Sequence, residues 1–295
     1  MGNHILVVNG VKVRQPVFLV GAPHSGASLL ARALKRSPGF HVTVGRRDVL
    51  KVALAFARQP SLTEKERGAR RVMRDAFARA WQINPHTCLE CTSECRTAGG
   101  VASVGSCVTG RSVTRYGDAT TELLYSADTL VEAFPDAKLV QVIRDGRDVV
   151  SGMLADRGSH AWLRPGVANV ESQFPNPFFG INTEADRATW KELSDTGKCA
   201  LRWRGAVLIS ARLRREIPDE GLMTVRYEDL VADPDAVADG MSHYLGARVS
   251  ASTITEQRRG AAGAWRKQLS ALQVAEVEKI AGEELTRLGY LTPRR

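Results

Sequence analysis

Four short runs of apolar and β-branched residues punctuate the chain, at 17–20 (VFLV), 41–44 (HVTV), 138–143 (KLVQVI) and 222–226 (LMTVR). Between them apolar residues recur every three or four positions, which predicts helices over roughly 26–36, 64–82, 121–134, 147–155, 197–216 and 271–288. Strands that alternate with helices predict a parallel sheet covered on both faces, because a parallel crossover needs about a helix's length of chain. The expected fold is α/β, with a parallel sheet of about five strands flanked by helices. No internal repeat or linker is visible, so one domain over 1–295 is expected, carrying a Cys-rich insertion at about 84–117. A second irregular stretch, 157–186, holds Pro165, Pro175 and Pro177 among aromatics. Long loops of this kind often form lids or substrate walls.

Finer patterns sharpen this picture. Met73, Phe77 and Trp81 repeat along one face of helix 64–82 and are expected in the core, opposite Arg70, Arg71, Arg74 and Arg79. Ser270 and Gln273 form a capping box at the start of the last helix. Cys199 is expected as a buried core residue. Apolar residues make up 43% of the 295, enough for a large core, and no run approaches the ~18 of a membrane span. The first residues lack a basic leader and a cleavage site, and Gly2 lacks the downstream hydroxyl of a myristoylation signal, so a cytoplasmic location is expected. The net charge of +9 fits either a solvated basic surface or an anionic ligand. Aromatics are only 6% and no nucleic-acid motif accompanies the charge, so nucleic acid is not an expected partner.

Three segments carry candidate chemistry. In VFLVGAPHSGASLLARAL (17–34) a strand meets a tight turn and then a helix start, which aims loop N–H groups and a helix dipole at one small volume. Gly21, Gly26 and Ser28 have P-loop spacing, but Ala27 stands where a P-loop has Lys. The loop suits a phosphate-like group but not ordinary ATP or GTP hydrolysis. Next, Arg144 follows strand 138–143, at the sheet edge where open α/β folds bind ligands. It can grip a phosphate, or pair with Asp148 and cap a helix. Last, Arg258 and Arg259 precede a Gly-rich turn beginning at Gly260, a second candidate cradle.

Taken together these segments resemble the nucleotide-binding signature of the sulfotransferase family, whose donor is 3′-phosphoadenosine 5′-phosphosulfate (PAPS). The first resembles its 5′-phosphosulfate loop, FPDAKLVQVIRDGRDVVSGM (from Phe134) its 3′-phosphate strand and helix, and RRGAAGAW its C-terminal loop; VRYEDLVADP (225–234) also matches a family stretch. The likeness spans about 17–44 and 116–290 and implies a P-loop-like fold. It further implies that backbone groups of His24, Ser25, Gly26, Ala27, Ser28 and Leu29 hold the 5′-phosphosulfate. Arg144 and Ser151 would hold the 3′-phosphate, with Arg258, Arg259 and Gly260 closing over it. Tyr227 would lie near the adenine and Trp203 near the nucleotide wall. The implied reaction moves a sulfuryl group to a hydroxyl or amine of a small-molecule or carbohydrate acceptor and leaves adenosine 3′,5′-bisphosphate (PAP). A PAPS- or PAP-binding protein with little transfer activity is the alternative.

Three positions depart from the family pattern. His24 stands where the family has Lys or Arg, and serves as a catalytic cation only when protonated. Gly152 stands where the family has Ser, so Ser151 is expected to substitute. Ala119 stands where a family Lys approaches the transferred group, with Arg46 and Arg47 as the nearest replacements in sequence. The resemblance implies a carboxylate just after the second strand, so Asp48 is the expected general base, or else it pairs with the neighbouring arginines or caps the next helix; His41, Asp118, Glu122 and His160 are further candidates. Cys88, Cys91, Cys95 and Cys107 follow C-x2-C-x3-C-x11-C spacing, compatible with one structural zinc or with uncoordinated thiols. Trp162, Phe174, Phe178 and Phe179 hint at an apolar or flat acceptor, or at a loop packed on itself.

Overall fold

The computed structural model describes residues 5–64, 66–84, 91–101, 107–108, 113–164, 168, 170, 172–252, 254 and 262–292. Five strands form the main sheet: β1 (Val17–Gly21), β2 (Phe40–Thr43), β3 (Arg115–Asp118), β4 (Lys138–Ile143) and β5 (Leu222–Arg226). Their order is β2-β3-β1-β4-β5 and every pairing is parallel. The α/β expectation and its strand count therefore hold.

β1 is central and buried along its whole length, and its alternation separates two cores. Val17 and Leu19 pack with α1 (Ala27–Lys35); Phe18 and Val20 pack with α2 (Arg47–Arg58), α3 (Glu66–Ala80), α6 (Gly146–Ala155) and α9 (Asp195–Glu216). Between α3 and α6 lie α4 (Ser93–Ala98) and α5 (Ala127–Ala133); between α6 and α9 lie α7 (Arg157–Trp162) and α8 (Glu184–Thr189). The chain ends through α10 (Tyr227–Ala232), α11 (Pro234–Leu245), α12 (Trp265–Gln268) and α13 (Ala271–Arg287), the last opened by the expected Ser270–Gln273 capping box. No helix among the described residues is long and apolar enough to cross a membrane.

One consequence of this layering positions the site. α1 leaves β1 toward one face, while α6 leaves the neighbouring β4 toward the other. The two loops diverge and open a crevice at the carboxyl edge of the sheet, the topological switch point of an open α/β fold.

β3 escaped the sequence reading because RYGD has no apolar alternation. Gly117 explains the composition: a Cβ there would lie 2.7 Å from the Val17 carbonyl oxygen, so only glycine lets β3 approach β1. Helices α2, α4, α7, α8, α10, α11 and α12 were also absent from the expected set; α4, α7 and the start of α8 fall in the stretches 84–117 and 157–186 that were expected to be irregular. The Met73–Phe77–Trp81 stripe is core as expected. Trp81 stacks on Phe77 at 4.8 Å, and its indole N–H donates to Gly117 O at 2.9 Å. Trp81→Ala should cost about 3–5 kcal/mol, because a large cavity opens and a strand carbonyl loses its donor; urea unfolding measures it.

Candidate active site at the carboxyl edge of the sheet

β1 ends in a turn closed by Ser25 N–H on Ala22 O (3.1 Å) and runs through Gly26 into α1. His24 takes φ +61° and Gly26 φ +102°. A Cβ on Gly26 would sit 2.3 Å from the ring of Tyr227, so this glycine is fixed by backbone and neighbour alike. At the start of α1, Leu29 N–H donates to Gly26 O at 3.0 Å, while the remaining first N–H groups of a helix lack intrahelical acceptors. Ser25 is buried, and its hydroxyl has no hydrogen-bond partner among the described residues.

Arg144, at the end of β4, ties the loop to the rest of the edge. Its guanidinium donates to His24 O (3.0 Å), lies 4.1 Å over the Tyr227 ring and comes within 3.7 Å of Asp148. Trp203 is buried beneath it and donates to Arg144 O at 3.2 Å. Asp148 also accepts from Gly263 N–H (2.7 Å) and Trp265 N–H (2.9 Å), which brings the C-terminal turn to α6. Ser151 donates to Gln268 at 2.5 Å. Of the two sequence readings of Arg144, the pairing with Asp148 is present. Arg258, Arg259 and Gly260 lie outside the described residues.

Two cavities flank the loop. One, of about 450 Å³, is lined by Leu29, Arg32, Arg144, Asp148, Tyr227 and Gln268 together with loop residues. The other, of about 500 Å³, is lined by Leu50, Leu54, Thr120, Glu122, Trp162 and Arg202 together with loop residues. His24, Gly26 and Ser28 wall both. The loop is a shared partition between them.

Several expected residues lie elsewhere. Asp48 pairs with Arg79 at 3.7 Å and lines a separate hollow with Arg46, Arg47 and Lys51, away from the loop. Helix α2 turns it outward, and Glu122 and Asp156 are the carboxylates that line the cavity. His41 is buried in β2 against Tyr116; burial, aided by Lys35 and Arg46, holds its ring down at about 3. Asp118 is fully buried, which pushes it up to about 6 against hydrogen bonds from Thr43 and Thr120. His160 contacts Leu154 O and Asp195 and does not line the cavity. Phe178 and Phe179 are core residues, whereas Trp162 does line the cavity. Cys199 is core, its thiol pushed up to about 12 by burial.

The cysteines converge on cations. The Lys35 ammonium donates to Val42 O (2.6 Å), Cys95 Sγ (3.5 Å) and Cys107 Sγ (3.6 Å), and Arg46 donates to Cys91 Sγ (3.4 Å). A hydrogen bond from Cys91 and the Lys35 charge lower the Cys95 thiol despite its burial. Among the described residues no three His, Cys, Asp or Glu side chains are arranged to hold a metal ion; Cys88 lies outside them. Lys35 lies between two of these thiols, and the zinc expectation gains no support from the described residues.

The profile of the sulfotransferase family matches residues 16–176 and 175–251. The chain belongs to the sulfotransferase family. This is the PAPS-dependent enzyme class that the sequence resemblance implied. No curated protein matches the sequence. Among solved structures, a sulfotransferase domain from the curacin biosynthetic pathway is 13% identical, with a TM-score of 0.50 over 95% of this chain and 99% of that one. Sulfotransferase STF9 from Mycobacterium avium is 14% identical, with a TM-score of 0.49 over 96% and 79%. Mouse sulfotransferase SULT7A1 complexed with PAP is 16% identical, with a TM-score of 0.45 over 94% and 86%. At such identities the likeness bears on the fold alone.

Within this sulfotransferase-family chain, two of the three departures are one. A Cβ on Gly152 would lie 2.9 Å from both Cβ and Cγ of His24. The His24 ring therefore rests against α6 because position 152 has no side chain, and it reaches Asp156 at 3.5 Å. Burial lowers the His24 pKa, outweighing Asp156, and Arg202 and Arg144 add to the lowering, so the ligand-free ring is neutral at pH 7. Arg202 is the residue the sequence reading missed. Its signal was a charge on the buried stripe of α9, spaced with Cys199 and Ala206. Gly152→Ser should push the ring into water and move its pKa back up toward 6.5, read by NMR titration of the imidazole.

Proposed function

We propose that this sulfotransferase-family enzyme transfers the sulfuryl group of PAPS to a hydroxyl or amine of a small-molecule or carbohydrate acceptor. The observation that carries the reading is the shared partition: His24, Gly26 and Ser28 wall a cavity holding Arg144 and a second cavity holding carboxylates. On this reading the nucleotide occupies the Arg144 side. The N–H groups from His24 to Leu29 take the 5′-phosphosulfate, with Ser28 adding its hydroxyl. Arg144 takes the 3′-phosphate together with the C-terminal turn at Arg258, Arg259 and Gly260. Ser151 and Gln268 border that phosphate, and Tyr227 backs the adenosine. Leu50, Leu54 and Trp162 suit an acceptor with an apolar or flat face.

In the transfer, the acceptor oxygen or nitrogen attacks sulfur, the bond from sulfur to the bridging oxygen breaks, and PAP leaves with the electron pair. A base takes the acceptor's proton. Glu122 is proposed for this role in place of Asp48, because it borders the acceptor cavity. His24 is proposed to steady the leaving oxygen once the PAPS anion has drawn a proton onto the ring. A binding protein with little turnover stays the second reading, favoured by the neutral ligand-free His24 and by Ala119 at the cavity wall.

Calorimetry should show PAP binding to the wild-type protein, weakened about tenfold or more in Arg144→Met, since a charged hydrogen-bonded contact is lost; absence of PAP binding would refute the nucleotide reading. With a panel of phenols, amines and sugars as acceptors, Glu122→Gln should lower turnover about 10²-fold or more and leave PAP affinity intact, while Asp48→Asn should turn over like wild type. The reverse pattern would return the base to Asp48. Turnover should also fall as pH rises past the PAPS-bound pKa of His24, because the proton on the ring is lost. His24→Lys should remove that falling limb.

A further inference from the structure

The acceptor cavity of this chain lacks both cations that its family resemblance implies near the reacting sulfate. His24 is neutral without ligand, and Ala119 carries no charge. Yet a transferring sulfuryl group carries negative oxygens that need a fixed positive partner in a water-poor site. Among the described residues lining this cavity, Arg202 is the one Arg or Lys.

Its setting is built. Helix α9 carries Arg202 near its middle, and the side chain is 3% exposed. The guanidinium lies 4.1 Å over the Phe178 ring and 3.9 Å from Glu122. Phe178 is held there by close backbone contact: a Cβ on Gly180 would sit 2.0 Å from Leu201 O, and one on Gly205 2.7 Å from Pro177 O. Arg202 Nε has no hydrogen-bond partner among the described residues, and neither has the buried hydroxyl of Thr120 on the same cavity wall. Both atoms belong to residues that line the cavity on the far side of the loop from Arg144, where the Arg202 guanidinium also lies beside the Tyr125 hydroxyl. Such groups cost stability unless a ligand satisfies them.

We propose that Arg202, assisted by Thr120, contacts the sulfonate oxygens of bound PAPS and supplies from α9 a permanent cation, which neither the His24 imidazole nor Ala119 is. The proposal rests on the nucleotide reading above. PAP has no sulfonate, so Arg202 distinguishes PAPS from PAP, whereas the Arg144 side of the site treats them alike. Glu122, 3.9 Å away, keeps the guanidinium oriented.

The test compares PAPS and PAP affinities by calorimetry at short times in the absence of acceptor. Arg202→Gln should weaken PAPS about tenfold relative to PAP, the loss of one charged contact, and leave PAP within about twofold of wild type. Arg202→Lys should keep part of the preference, and Thr120→Val should lose about threefold of it. Arg202→Met, which suits the Phe178 contact, replaces Gln should that variant fail to fold; retained PAP binding reports folding in each. If wild type and the neutral variants show the same PAPS-to-PAP ratio, or if both ligands weaken together, Arg202 is a structural cation and the inference is overturned. If wild type binds neither ligand, the nucleotide reading itself fails and takes the inference with it.

Discussion

The site depends on the guanidinium of Arg144. It grips the loop through His24 O, packs on Tyr227 and faces Asp148, and Asp148 in turn holds the N–H groups of Gly263 and Trp265. One half-buried cation thereby joins the first strand's loop, the fourth strand, the turn after the fifth strand and the C-terminal segment. These are distant in sequence, and no apolar contact alone would bring them into register. The carboxylate of Asp148 is the buried charge; it demands partners, and here the partners are the walls of the site.

Much of this was legible in the chain because backbone geometry writes itself into residue types. The run Val17–Gly21 followed by a Gly-rich turn specified strand, loop and helix, and the fold places them so. Gly26 had to be glycine against Tyr227, and Arg144 had to follow a buried strand. The stripe on α3 and the capping box on α13 were equally plain. What stayed hidden depended on tertiary neighbours. RYGD carries no strand signal, since Gly117 answers to the carbonyl of Val17, a contact made only after folding.

The active-site chemistry was less legible for the same reason. Asp48 is near the second strand in sequence, yet α2 swings it toward Arg79. Glu122 and Arg202 come from segments eighty residues apart, and the packing of α9 against the 121–126 segment brings them together. The cysteine spacing suggested metal, but spacing does not reveal that the end of α1 sends Lys35 among the thiols. A buried ammonium with sulfur and carbonyl acceptors is satisfied without any ion.

The contact between His24 and Gly152 constrains how such a site can change over generations. A hydroxyl at 152 and an imidazole at 24 compete for one space, so a lineage that acquires the first displaces the second from its place against α6. The two positions form an epistatic pair.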